Sequence, residues 1–283
     1  MRIIAHGGAG SPPEEPPERR ERIEAAVEAG LDRETPLDAV CATISFLEAD
    51  PWFNAGVGSA VQTDGQIRTD AGLMTDDREC GAVAGLDGVA NAIDVARAVL
   101  EETPHVMLAG EPATDFAAAN GVETGVDCWA DRTQERWDET TPPGESVAEQ
   151  LDWLADQFGG SDTVGAVATD GDRIVTGTST GGRWAALAGR VGDVPQIGAG
   201  FYATDAGGAS ATGAGEDIAK EAVARRAVEH LEDGDSPERA ASRAIERFDD
   251  RVEGTAGVIV LDRDGRAGSA YNSAAMQTAQ GER

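Results

Sequence analysis

The β-rich runs of this chain come in pairs joined by tight turns, and its helical stretches come in blocks. That order argues for an antiparallel or mixed sheet with helices packed outside it, and against repeated βαβ crossovers. A first apolar strand, residues 2–5, runs into the glycine-rich turn His6-Gly7-Gly8-Ala9-Gly10; a strand so placed is expected inside a sheet. Helical spacing of apolar residues behind Pro and acidic starts predicts helices over 17–31 and 36–48, and again over 91–102 and 112–120. The glycine-broken stretch 54–88 reads as hairpins and turns. Further on, 163–169 and 173–178 form a hairpin about Asp170-Gly171-Asp172, helices are expected over 217–232 and 236–248, and a last hairpin over 257–272 turns at Asp264-Gly265.

Hydrophobic residues at 40% can build a sizeable core for what reads as one domain over 1–283. The charge balance narrows the partners. With 52 acidic against 23 basic residues the net charge is −29, and Lys220 is the only lysine. Such an excess repels phosphate backbones and anionic lipid, so neither nucleic acid nor a membrane is expected as a partner. It suits a high-salt cytoplasm, where short screening lengths remove the self-repulsion. Cys41, Cys80 and Cys128 have no Cys-x-x-Cys spacing and fit reduced thiols. The start of the chain lacks the apolar stretch of a signal peptide and no run reaches transmembrane length, so a cytoplasmic location is expected.

Several catalytic engines lack their signals. The histidines are His6, His105 and His230, with no His-Glu-x-x-His, and there is no Gly-x-Ser-x-Gly elbow, phosphate loop or dinucleotide fingerprint. A threonine can dispense with histidine if its base is its own α-amine, whose pKa of about 7.7–8.0 lets it accept the hydroxyl proton. The threonine must then be exposed by cleavage. Asp162-Thr163 offers such a setting: a polar linker over 129–146, a helix over 147–158, a glycine turn, then an apolar strand headed by Thr163. Taken alone, a threonine heading a strand is commonly structural.

Several segments occur together and in order: Asp162-Thr163-Val164-Gly165-Ala166-Val167-Ala168, Thr178-Ser179-Thr180-Gly181-Gly182, Gly189-Arg190-Val191-Gly192-Asp193-Val194-Pro195, Gly198-Ala199-Gly200 and Ala211-Thr212-Gly213-Ala214-Gly215-Glu216. This series resembles the β-subunit of plant-type L-asparaginases and isoaspartyl peptidases, which are N-terminal-nucleophile hydrolases. The first half agrees through His6-Gly7-Gly8-Ala9-Gly10, Phe53-Asn54-Ala55-Gly56, Asp70-Ala71-Gly72-Leu73-Met74 and Thr103-Pro104-His105, so the resemblance runs from residue 6 to about 276.

The resemblance implies an α/β, four-layer αββα sandwich cut into fragments 1–162 and 163–283, with the Thr163 strand between strands of the other fragment. It implies Thr163 as nucleophile, Thr180 orienting its hydroxyl, and Thr212 with the Gly213 N–H as an oxyanion hole. Arg190 would grip an α-carboxylate and Asp193 an α-ammonium, with Gly213 and Gly215 letting backbone approach the ligand. Asn54 would hydrogen-bond near the nucleophile or shape the cleavage loop, and Asp162 would help self-cleavage. The implied substrates are L-asparagine and β-aspartyl (isoaspartyl) dipeptides, handled with no redox or nucleotide cofactor. A structural sodium ion near the segment before Asn54 and a dimer of heterodimers are also implied. Asp162 stands where many plant-type members carry Gly, as in glycosylasparaginases, which keeps an N4-substituted asparagine amidase open as an alternative. A non-catalytic binding or scaffold protein with this fold is a second alternative.

Overall fold

The computed structural model describes residues 1–10, 16–140, 146–155 and 163–283. In chain order the elements are β1 (Arg2–Gly10), α1 (Pro16–Leu31), α2 (Pro36–Glu48), β2 (Arg68–Thr75), β3 (Cys80–Asp87), α3 (Ala92–Glu102), β4 (Met107–Ala109), α4 (Glu111–Ala119), α5 (Asp131–Glu139), α6 (Val147–Ala155), β5 (Val164–Thr169) and β6 (Ile174–Thr180). They continue with β7 (Phe201–Thr204), β8 (Gly207–Gly213), α7 (Gly215–Glu221), α8 (Val223–Glu232), α9 (Pro237–Asp249), β9 (Ala256–Asp262), β10 (Ala267–Tyr271) and β11 (Ala275–Glu282). One sheet has the order β11-β1-β5-β6-β2-β3-β4 and the other β10-β9-β8-β7. Every described pairing within them is antiparallel except β3 with β4.

Side-chain parity sorts the strands into layers, because successive residues point to opposite faces. Ile3, Ala5, Val164, Ala166 and Val175 face outward and pack with Ile23, Val40, Ile44 and Ile93 of α1, α2 and α3. Ile4, Val167 and Ile174 face inward against Ile259 and Leu261 of the second sheet. That sheet's outer face, with Ala209, Ala211, Val258 and Val260, is covered by α8 and α9 through Val228, Ala241, Ala244 and Phe248. The apolar stripe on α9 recurs at helical spacing, and Ser236 caps its start by accepting the Arg239 N–H at 3.4 Å. The result is the expected four-layer αββα sandwich. Both faces of β1, β2, β5, β6, β8 and β9 are buried, so these strands read as runs of apolar, glycine and small polar residues and lack the strict polar alternation of a half-exposed strand.

Several expectations are corrected. The glycine-rich segment after residue 5 is part of β1, which bulges between His6 and Ala9 relative to β11. Its glycines serve packing: a Cβ on Gly7 would lie 2.5 Å from the Phe53 ring and 2.8 Å from Ile23. The helix expected over 217–232 breaks at Ala222, which takes a left-handed φ of 51°. The first N–H groups of α8 are satisfied there by the loop that leads into β7, Ala224 donating to the Ala199 carbonyl and Arg225 to that of Gly198. β5 does not lie between strands of the other fragment, since β6 is one of its neighbours. Instead the β5–β6 hairpin as a unit is inserted between β1 and β2, and β1 lies between β5 and β11.

The expected linker over 129–146 contains helix α5. Its composition is polar, but three side chains hold it down. Trp137 meets Trp184 edge-to-face with ring centroids 6.2 Å apart, and Arg136 lies 4.0 Å over the Trp184 ring. Arg132 donates to the carbonyls of Pro51, Phe53 and Gly58 at 2.6, 3.3 and 3.0 Å. Of the helix expected over 147–158, α6 covers the part up to residue 155, and the rest lies outside the described residues.

Candidate active site

Parity and register bring the threonines together. Thr163 precedes β5 and shares the inward side of Gly165 and Val167, while Thr176, Thr178 and Thr180 hold the inward side of β6. On the facing sheet, Gly208, Ser210 and Thr212 are the inward residues of β8, because Ala209 and Ala211 pack outward under α8 and α9. Thr163, Thr180 and Thr212 therefore lie at one end of the gap between the sheets. They are almost wholly buried, at 1%, 2% and 0% exposure. The Thr180 hydroxyl accepts the Gly182 N–H at 3.0 Å, and the Thr212 hydroxyl has no hydrogen-bond partner. Gly213, at φ 132°, follows Thr212; a Cβ there would meet the Thr255 carbonyl oxygen at 2.2 Å, so the position is closed to any side chain.

Arg190 and Asp193 reach this end from the loop between β6 and β7 and converge on Gly215 at the start of α7. A Cβ on Gly215 would sit 2.7 Å from both Arg190 Nη2 and Asp193 Oδ1. Arg190 is anchored on one edge, Nε donating to Glu216 Oε1 at 2.8 Å, while Nη2 has no partner. Asp193 is 3% exposed and its Oδ2 is also unpartnered. Burial pushes the Asp193 pKa up to about 7, against the pull of the Arg190 charge, with Glu216 and Asp70 adding to the rise. The same guanidinium holds the Glu216 carboxyl below its ordinary value.

Asn54 is bonded on every side. Its Nδ2 donates to the Gly182 carbonyl at 2.7 Å, its Oδ1 accepts the Ala60 N–H at 2.7 Å, and its own carbonyl accepts the Gly181 N–H at 2.9 Å. It ties the 51–60 loop to the segment just past Thr180. Asp162 lies outside the described residues.

Residues not singled out from the sequence complete the surroundings. His6 is fully buried on the inward face of β1 opposite Gly165, and its Nε2 lies 2.9 Å from Ser210 Oγ on the other sheet. Burial drives its pKa down to about 3, opposed by the nearby Thr163 backbone, so the imidazole is neutral, and its Nδ1 has no hydrogen-bond partner. On the opposite face of the sheet Ser179 donates to the buried Glu48 carboxyl at 2.6 Å, and desolvation raises the Glu48 pKa well above its ordinary value. Ser59 packs so tightly beneath Gly181 that a Cβ there would meet it at 2.2 Å. His6 stood out as one of three histidines within a glycine motif; Ser59 and Ser179 gave no such signal. Among the described residues no cluster of three or more His, Cys, Asp or Glu is placed to hold a metal ion, and no helix is long and apolar enough to cross a membrane.

Two layers of helix about two antiparallel sheets, with a buried threonine heading an inward strand at one end, define the framework of the N-terminal-nucleophile hydrolases. The asparaginase family matches residues 1–283, and the chain belongs to it. It is 40% identical to the plant-type L-asparaginase of Pyrococcus abyssi, over 98% of this chain and 95% of that protein. To the isoaspartyl peptidase/L-asparaginase of Homo sapiens it is 38% identical, over 97% and 91%, and to that of Danio rerio 37%, over 98% and 91%.

Proposed function

We propose that the protein is a threonine amidohydrolase, activated by its own cleavage, that hydrolyses the side-chain amide of L-asparagine and the β-peptide bond of isoaspartyl dipeptides. The observation that carries this reading is a set of three buried polar atoms without partners at one end of the inter-sheet gap: Arg190 Nη2, Asp193 Oδ2 and Thr212 Oγ1. Unpaired buried polar atoms are costly, and a ligand that supplies their partners repays the cost. A guanidinium edge suits an α-carboxylate, a buried carboxylate suits an α-ammonium, and a threonine hydroxyl suits a carbonyl oxygen that becomes an oxyanion. An amino-acid head group with a side-chain amide satisfies all three.

In maturation the Thr163 hydroxyl attacks the Asp162 carbonyl, the acyl group shifts from nitrogen to oxygen, and water hydrolyses the ester to free the Thr163 amine. In turnover that amine takes the hydroxyl proton as Thr163 attacks the substrate amide, oriented by Thr180. Thr212 and the Gly213 N–H hold the oxyanion, ammonia or an amino acid leaves with a proton, and water releases aspartate from the β-aspartyl ester. Asn54 fixes the loop beside Thr180.

A structural sodium ion near the segment before Asn54 belongs to the same reading. Its part would be to brace that segment. A dimer of cleaved heterodimers, a cytoplasmic setting for the three unpaired cysteines and adaptation of the acidic chain to high salt belong to the same reading. Asp162 favours a second reading, activity on N4-glycosylated asparagine, which is assayed alongside.

Intact mass and N-terminal sequencing of the purified protein in high salt, beside Thr163→Ala, test the proposal. Two fragments, the second starting at Thr163 and absent from the variant, together with ammonia release from asparagine, are expected. A single persistent chain that binds aspartate without turnover would establish the scaffold alternative instead.

A further inference from the structure

We propose that Asp70 is a positioning residue for Thr180: it stands directly opposite Thr180 on the rung that joins β2 to β6, and its carboxyl is held on the same inward face. The proposal rests on the hydrolase reading above and adds a residue to it.

β2 pairs regularly with β6 from Asp70 opposite Thr180 to Thr75 opposite Val175. On its other side the pairing with β3 passes from Thr69 opposite Leu86 to Ala71 opposite Val83, so Ala84 and Gly85 together face Asp70 and the extra residue of the bulge belongs to β3. The N–H that the bulge releases, that of Gly85, donates to Asp70 Oδ1 at 2.7 Å. Directly opposed residues share a sheet face with Cβ atoms about 4.5–5.5 Å apart. The face is the inward one, because Gly72, two residues on, is pressed against Phe201 of the other sheet. Asp70 is 3% exposed and so carries a carboxyl into the gap beside the threonines.

Capping Gly85 does not call for an acid, since an amide oxygen accepts the same N–H. A carboxyl in the middle of a buried strand is otherwise expensive. The charges that act on it are those of the head-group pair: Arg190 favours its ionised form, and Asp193 and Asp70 repel each other. Burial lifts its pKa to about 7, so its charge is within reach of the working range. With one oxygen clamped by Gly85, the negative charge on the rung draws the Thr180 O–H toward β2. The Thr180 oxygen then presents its lone pairs to the Gly182 N–H and to the Thr163 hydroxyl. No proton is transferred.

The test is Asp70→Asn, which keeps the acceptor for Gly85 and removes the charge. The expected result is unchanged or higher melting temperature, and kcat for asparagine lower by about tenfold or more with KM little altered. In a Thr180→Val background the same change should cost nothing further, because it acts through Thr180. Wild-type kcat in Asp70→Asn, or an equal loss in the Thr180→Val background, would overturn the proposal. Should Asp70→Asn fail to fold, Asp70→Glu, which keeps the charge and displaces it, decides: a kcat lowered in the wild-type background and unchanged in Thr180→Val supports the proposal, and any other pattern overturns it. A wild-type enzyme without turnover would sink the hydrolase reading and this one together.

Discussion

Asp193 sits where binding and stability make opposite demands. Its carboxyl is raised from an ordinary 3.8 to about 7 by burial, so the native state holds this proton more tightly than the unfolded chain. Stability from this group is therefore greatest below the unfolded value, falls as pH rises between the two, and stays low above the folded value. Asp193→Asn should melt higher than wild type at pH 8 and match it more closely near pH 4, as measured by thermal unfolding. The same change should lower kcat/KM for asparagine by two orders of magnitude or so, because an amide cannot balance an α-ammonium. In the wild type, kcat/KM should fall as pH drops through about 7, since the protonated acid offers the ammonium no charge. At this scale the sequence was informative where polar residues stand in ordered motifs: Thr163, Thr180, Arg190, Asp193 and Thr212 are all found at one end of the gap. It was silent about residues whose partners are remote. His6 meets Ser210 across two sheets, and Glu48 meets Ser179 from another layer. No local pattern encodes such a pairing.

Helix α5 shows how an element of poor intrinsic promise becomes part of the site's support. Arg132 gives three hydrogen bonds to carbonyls that bracket Asn54, and Asn54 in turn fixes the chain beyond Thr180. Arg132→Ala leaves buried carbonyls short of a donor, at about 1–3 kcal/mol. The expected outcome is earlier proteolytic cutting within α5 and a lower kcat with intact folding, read by limited proteolysis and steady-state kinetics. Charged composition hid this helix because its anchor, Trp184, lies far along the chain. β8 was hidden for a related reason. Its sequence, Gly207-Gly-Ala-Ser-Ala-Thr-Gly213, has one β-branched residue, and its strand form comes from pairing with β9 and from the close approach of α8. Helices α2 and α9 were legible because each carries its own cap, proline and apolar stripe.

Across the whole molecule, a net charge of −29 on 283 residues sets a repulsion that local pairs do not cancel. Exposed pairs such as Arg20 with Glu24 or Arg239 with Asp235 add about 0–1 kcal/mol each. Salt weakens these pairs, but it weakens the far more numerous like-charge repulsions as well. Melting temperature should rise steadily with potassium chloride into the molar range; a flat response would remove salt adaptation as the reason for the acidity. The strand order has its own consequence for the self-cleavage proposed above. β1 is gripped on both sides by strands from beyond residue 163, and the β5–β6 hairpin on both sides by strands from before it. An intact chain reaches this weave by closing loops within one molecule. Two severed pieces must first find each other, then thread a hairpin between two strands and a strand between two others. Maturation is in that sense a ratchet: the cut chain keeps its shape only while it never lets go, and after denaturation and dilution the mature protein should stay inactive where the Thr163→Ala precursor recovers its fold.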